Sequence, residues 1–143
     1  MEKLPPDLKT GVLRLLETLP NGNALCHFDV HPGQVLITAK GPVIIDWMTA
    51  YQGHPLADVA RTCIILRVGQ VPGAGWAMRA FVNLWKGLFY RTYIARYLEL
   101  HPGVTGDAVT TWMVPVSAGR LNEKIPGEQE PLLNFIQSHL PGR

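Results

Sequence analysis

The run Val35-Leu36-Ile37-Thr38, followed by Ala39-Lys40-Gly41-Pro42 and the apolar Val43-Ile44-Ile45, reads as two short strands joined by a turn. The other apolar segments of the chain repeat with a helical period, so this hairpin is a small β element set among helices. A hairpin doubles the backbone back on itself, which lets acids far apart in sequence face one small site. Asp29 precedes this hairpin and Asp46 closes it.

Leu8, Val12, Leu15, Leu16 and Leu19 predict an amphipathic helix from Asp7 to Thr18, bounded by Pro5-Pro6 and by Pro20-Asn21-Gly22-Asn23. Tyr51-Gln52-Gly53-His54-Pro55 reads as a break in the chain. A second helix, Leu56 to Val68, is apolar around most of its circumference and is expected at the centre of the domain. Gly69 to Gly75 is a Gly-Pro-rich connection to a long helix from about Trp76 to Leu100. Its aromatic stripe, Trp76, Phe81, Trp85, Phe89 and Tyr93, is expected to be core, with a substrate-pocket lining as the alternative. Thr105-Gly106-Asp107 offers cap chemistry for a helix through Trp112, which Pro115 should bend or break before Leu121. Glu130 to Leu140 predicts a last helix with Pro131 near its start. The expected fold is mainly α with a small β hairpin, one domain over residues 1–143, with the hairpin unit at about 24–47 and helices after 56.

Composition narrows the partners. Hydrophobic residues make up 47% of the chain, enough for one sizeable core. The formal net charge is +2, and the 13 basic residues are scattered without a cluster, which argues against a nucleic-acid face or a polybasic membrane tag. Arg79, Asn83, Lys86, Arg91 and Arg96 interrupt the longest apolar region, so it does not read as a membrane span. Cys26 and Cys63 are too few for a disulfide scaffold, and MEKLPPDLK lacks the apolar stretch of a secretory signal, so a cytoplasmic location is expected.

Three ordered blocks carry the chemistry: His27-Phe28-Asp29-Val30-His31-Pro32-Gly33-Gln34, then Ile44-Ile45-Asp46-Trp47, then Gly53-His54-Pro55-Leu56-Ala57-Asp58-Val59-Ala60. Together they resemble the aminoglycoside phosphotransferase and choline kinase-like family, small-molecule relatives of protein kinases. That family's pattern is H-G-D-x-H-P-x-N, an apolar run ending in D-W, and G-D-P-x-x-D with an apolar residue and Ala after it. Arg120-Leu121-Asn122-Glu123 and Ile125-Pro126-Gly127-Glu128 also resemble its C-terminal region, less specifically.

The resemblance implies roles. Phosphoryl transfer is chiefly positioning and charge neutralisation, with a carboxylate at the attacking hydroxyl and oxygen ligands for the metal on the phosphates. Asp29 would orient or deprotonate the substrate hydroxyl, and Asp46 would hold Mg²⁺, with Gln34 in the place of a metal-binding Asn. Asp58 would accept hydrogen bonds from the catalytic-loop backbone, and His27 would orient the loop by a bond near Asp46. ATP or another nucleoside triphosphate is the implied phosphate donor.

Three departures accompany the match. Gln34 adds a methylene and displaces the amide by about 1.5 Å, which implies altered metal binding. Phe28 adds bulk where the family has Gly, and His54 replaces an acid and removes a structural hydrogen bond. No Gly-rich strand-loop-strand precedes Asp29, so the resemblance covers the helical C-terminal lobe of a kinase-like fold, without its N-terminal lobe. Cys26, His27, Asp29 and His31 are also residue types that bind zinc, but the kinase-like pattern already accounts for the last three.

Two functions follow from these readings. In the first, the chain is the catalytic lobe of an ATP- and Mg²⁺-dependent phosphotransferase acting on a small-molecule hydroxyl. In the second, it is a non-catalytic descendant serving as a binding or assembly module, self-associating through the surface left by the missing lobe.

Overall fold

The computed structural model describes residues 4–69 and 75–142, so most of the expected Gly69 to Gly75 connection lies outside the described residues. Helix α1 spans Pro6–Thr18, with Pro at its first turn and Asp7 beside its positive end. Leu8 and Val12, one turn apart, are its buried face. Strand β1 (Ala24–Cys26) follows, then a 3₁₀ turn at Pro32–Gln34 and the hairpin β2 (Val35–Thr38) and β3 (Gly41–Ile44). The hairpin register, Val35 opposite Ile44 and Thr38 opposite Gly41, places Ala39 and Lys40 in the turn.

The break expected at Tyr51–Gly53 is instead strand β4, antiparallel to β1 with Cys26 opposite Tyr51. Gly22 permits the close approach there: a Cβ on it would lie 2.4 Å from the His54 backbone. The β structure is therefore two separate two-stranded sheets, β1 with β4 and β2 with β3.

Helix α2 (Pro55–Val68) is buried along nearly its whole length and packs most extensively on α4 (Gly106–Arg120). Helix α5 (Gln129–His139) closes the other side through Leu132, Phe135 and Ile136. The Thr105 hydroxyl caps α4 by accepting the Ala108 N–H at 3.1 Å. Contrary to the expectation of a break, α4 runs through Pro115 to Arg120. An interior proline costs about 3 kcal/mol, but here every residue from Met113 to Ala118 is buried, so packing on α2 and α5 holds the helix together.

Helix α3 (Trp76–Leu100) is about 37 Å long at the usual helical rise. Only its second half joins the core, through Tyr90, Tyr93, Ile94, Tyr97 and Leu98. Among the described residues no helix is long and apolar enough to cross a membrane.

Candidate active site

The segment His27–Asp29 leaves β1 and is fixed from both sides. The Asp58 carboxylate, in the first turn of α2, accepts the His27 N–H at 2.9 Å and the Phe28 N–H at 2.7 Å. A carboxylate at that position is also favoured by the helix dipole. The carbonyl of His27 accepts from the Thr49 hydroxyl at 2.7 Å, and that of Phe28 from Arg61 Nε at 3.1 Å. His27 is 2% exposed, and its Nδ1 accepts the Asp29 N–H at 3.2 Å. That bond puts the ring proton on Nε2, which donates to the Ile45 carbonyl at 2.8 Å. With both nitrogens engaged, His27 couples the segment carrying Asp29 to the strand end carrying Asp46.

Phe28 has φ 64°, in the left-handed region. A side chain there costs about 1 kcal/mol or more, which is the physical reason for Gly at this place in the resembled pattern. Four hydrogen bonds from the two flanking peptide units and a ring contact with Tyr51 at 4.6 Å hold Phe28 in this conformation.

Asp29 heads a chain of alternating charges. Its carboxylate lies 3.8 Å from Arg61 and 4.0 Å from His31, contacts too long to occupy its lone pairs. Arg61, buried on α2, makes a forked pair with Glu123 at 2.7 and 3.0 Å. Arg120 bonds Glu123 at 3.1 Å and Glu128 at 2.6 and 2.8 Å. Glu128 is 1% exposed, so this last pair is fully enclosed and its bidentate geometry offsets the desolvation of both ions.

Asp46 is held differently. Its backbone is left-handed, φ 64° and ψ 60°, and its carboxylate accepts from Gln34 Nε2 at 3.0 Å. The Gln34 carbonyl accepts the Ile45 N–H at 2.9 Å, which brings the two side chains side by side. The long Gln side chain thus reaches Asp46 through its nitrogen.

A cleft of about 650 Å³ opens beside Asp29. Asp29 and His31 stand at one part of its wall, Ile65 and Leu66 of α2 at another, and Phe81, Trp85 and Phe89 of α3 line it as well. Asp46 and Gln34 are not among the described residues lining it. The expectation that the aromatic stripe is core is therefore corrected: Phe81, Trp85 and Phe89 are exposed and face the cleft, Trp76 is exposed, and only Tyr93 packs on the core. Periodicity identifies one face of a helix but not what covers it, and α3 leaves its first half uncovered by the core. Lys86 also lines the cleft and donates to the Gly69 carbonyl. Burial holds its ammonium below the ordinary lysine range, while nearby Glu128 acts in the other direction.

The expected loss of a hydrogen bond at His54 is corrected too. Its Nδ1 accepts the Leu56 N–H at 3.2 Å and so caps α2, and its ring stacks on Trp112 at 4.9 Å. The sequence gives no reading of Thr49 or Arg61; Arg120, Glu123 and Glu128 stand in the two C-terminal stretches that resemble the family, but their pairing with one another and with Arg61 was not foreseen. Arg61 had a signal: it is a charged residue in a helix apolar on nearly every side, where an unpaired cation would be costly.

A model of the Phosphotransferase enzyme family (APH) matches residues 2–106, a span that includes the His27–Asp29 segment, the hairpin, Asp46 and Asp58. Residues 107–143, with Arg120, Glu123 and Glu128, lie beyond the match. Comparisons with curated proteins and with solved structures returned no match. The match covers well over half of the chain and takes in all three motif blocks, and the chain belongs to the phosphotransferase enzyme family.

Proposed function

We propose that this chain is the helical catalytic lobe of a kinase-like phosphotransferase that moves the terminal phosphate of ATP, or another nucleoside triphosphate, to a hydroxyl of a small molecule. The observation that supports this most directly is Asp29: a carboxylate with free lone pairs, on a segment whose backbone is pinned by Asp58, Thr49, Arg61 and His27, at the wall of a cleft of small-molecule size. In this reading Asp29 is the catalytic residue that orients the acceptor hydroxyl and takes its proton as the oxygen attacks phosphorus. His27 and Asp58 are positioning residues.

Asp46 and Gln34 would hold Mg²⁺. Their donor set fits a hard cation: an Asp46 carboxylate with one oxygen left after it accepts from Gln34 Nε2, and the amide oxygen of Gln34. No group of three His, Cys, Asp or Glu suited to a metal occurs among the described residues, and Mg²⁺ characteristically takes one or two protein ligands and completes its shell with phosphate and water. When bound, the ion neutralises charge on the phosphates.

The test is a titration of the chain with Mg²⁺ and a non-hydrolysable ATP analogue, followed by the backbone amide signals. The expected result is movement at Asp29, Gln34 and Asp46, lost in Asp46→Ala; signals that stay still at millimolar ligand defeat the reading.

One observation favours the second reading, a binding or assembly module: Leu25, Ile37 and Met48 are 72%, 82% and 92% exposed around the β elements. Sedimentation equilibrium at high concentration distinguishes it, because a chain that stays monomeric has no use for that surface in self-association.

A further inference from the structure

We infer that the cleft beside Asp29 takes a neutral acceptor, a hydroxyl compound with an apolar, ring-bearing body, rather than a polycation or a quaternary ammonium alcohol. The inference rests on the phosphotransfer reading for which atom is modified. The choice of ligand body rests on the cleft alone.

The first element is the aromatic wall. Phe81, Trp85 and Phe89 lie at successive four-residue steps on α3, and neighbouring rings stand 5.9 and 6.2 Å apart. Each ring remains about half exposed, so the wall is free to be covered by a ligand. Ile65, Leu66 and Ile125 add aliphatic surface to the same cleft. Burying one such ring against a ligand is worth about 1.5 kcal/mol or more.

The second element is the pairing of the charges. A cleft that selects polycations needs acids without partners, because an already paired carboxylate offers a second cation little. Here Glu123 is bound by Arg61 and Arg120, and Glu128 by Arg120 on both oxygens. Lys86 adds a further positive charge to the lining. A quaternary ammonium could stack on Trp85 by a cation–π contact, but it would do so beside Lys86, whose bonding partner is the neutral Gly69 carbonyl. Asp29 is the carboxylate of the lining that no arginine engages at hydrogen-bond distance. The complement of such a cleft carries one hydroxyl for Asp29 and an uncharged apolar remainder.

The experiment is calorimetric titration of the full chain with 3-phenylpropan-1-ol, spermidine and choline, without nucleotide. The alcohol is expected to bind in the millimolar range or tighter and both cations at least about tenfold more weakly. Trp85→Ala should weaken the alcohol about tenfold, whereas Trp76→Ala, on the same helix but outside the cleft lining, should leave it unchanged. Trp85 is exposed enough for its truncation to leave the fold intact, which circular dichroism checks; if that variant unfolds, Phe89→Leu carries the same prediction with a smaller loss. Tighter binding of either cation, no binding of the alcohol, or alcohol binding indifferent to both substitutions overturns the inference. Failure of phosphotransfer would show separately: the alcohol would bind in the cleft, yet Mg²⁺ and the ATP analogue would leave Asp29 and Asp46 unmoved.

Discussion

The two acidic residues of the candidate site sit in backbones of opposite character. Asp29 follows a segment in which two N–H groups and two carbonyls are engaged by side chains, and a histidine ring by the Ile45 carbonyl, all from other parts of the chain. Asp46 sits in a left-handed turn next to the hairpin, with one side-chain hydrogen bond from Gln34. The first carboxylate is placed by the core and the second by local chain geometry. The difference suits the roles proposed above: a group that must meet an incoming hydroxyl gains from fixed geometry, whereas a ligand to an exchangeable ion and its phosphates can adjust to them.

The contrast can be broken from its anchored side. Glu128→Ala should have the largest effect, because it leaves Arg120 buried with half its partners: a loss of about 3 kcal/mol, read by urea unfolding. Asp58→Ala should cost somewhat less, about 2 kcal/mol, and should selectively speed hydrogen exchange at His27 and Phe28. If exchange there is unchanged, Asp58 does not hold the segment.

Alkali should loosen the same side. Burial pushes the Cys63 thiol on α2 up to about 12 from an ordinary 9.0, and it raises Tyr93 on α3 as well. The folded chain then binds more protons than the unfolded chain, so this stability is complete below about pH 9 and is lost as pH rises toward 12. The expected loss near pH 11 is on the order of 2 kcal/mol, and Cys63→Ala should flatten much of the slope. Lys86, lowered by burial, contributes with the opposite sign: stability rises with pH above its folded pKa until the ordinary 10.5 is passed.

The smallest effect on stability belongs to Asp46. Asp46→Asn should change it by no more than about 0.5 kcal/mol, since Asn tolerates the left-handed conformation, yet it should abolish the Mg²⁺-dependent shifts. A large loss of stability would show Asp46 to be as deeply anchored as Asp29.

Features encoded within a few residues were legible in the sequence. The hairpin followed from two apolar runs and a turn, although Gly41 and Pro42, read as turn, belong to β3; the ends of α1, α2 and α3 followed from proline and helical period. Features made by distant partners were not. Strands β1 and β4 are three residues each, too short to show a period, and their pairing joins Ala24 to Gly53 across the chain. Pro115 was read by its local cost, which burial of α4 overrode. The aromatic period on α3 was visible, but whether core or cleft lay against it depended on where the neighbouring helices end. In the candidate site, the motif blocks named Asp29, Gln34, Asp46 and Asp58, and the structure puts Gln34 on Asp46 and Asp58 on the backbone before Asp29. The charge ladder remained hidden because it joins α2 to the segment after α4.

That ladder ties the part of the chain that the family model matches to the part beyond it. Arg61 lies inside the family match, whereas its partner Glu123, and the buried Arg120 and Glu128 behind it, lie past its end. A fragment cut at residue 106 would retain all three motif blocks and yet leave the Arg61 guanidinium without its carboxylate partner, so such a fragment is expected to unfold more readily than the full chain.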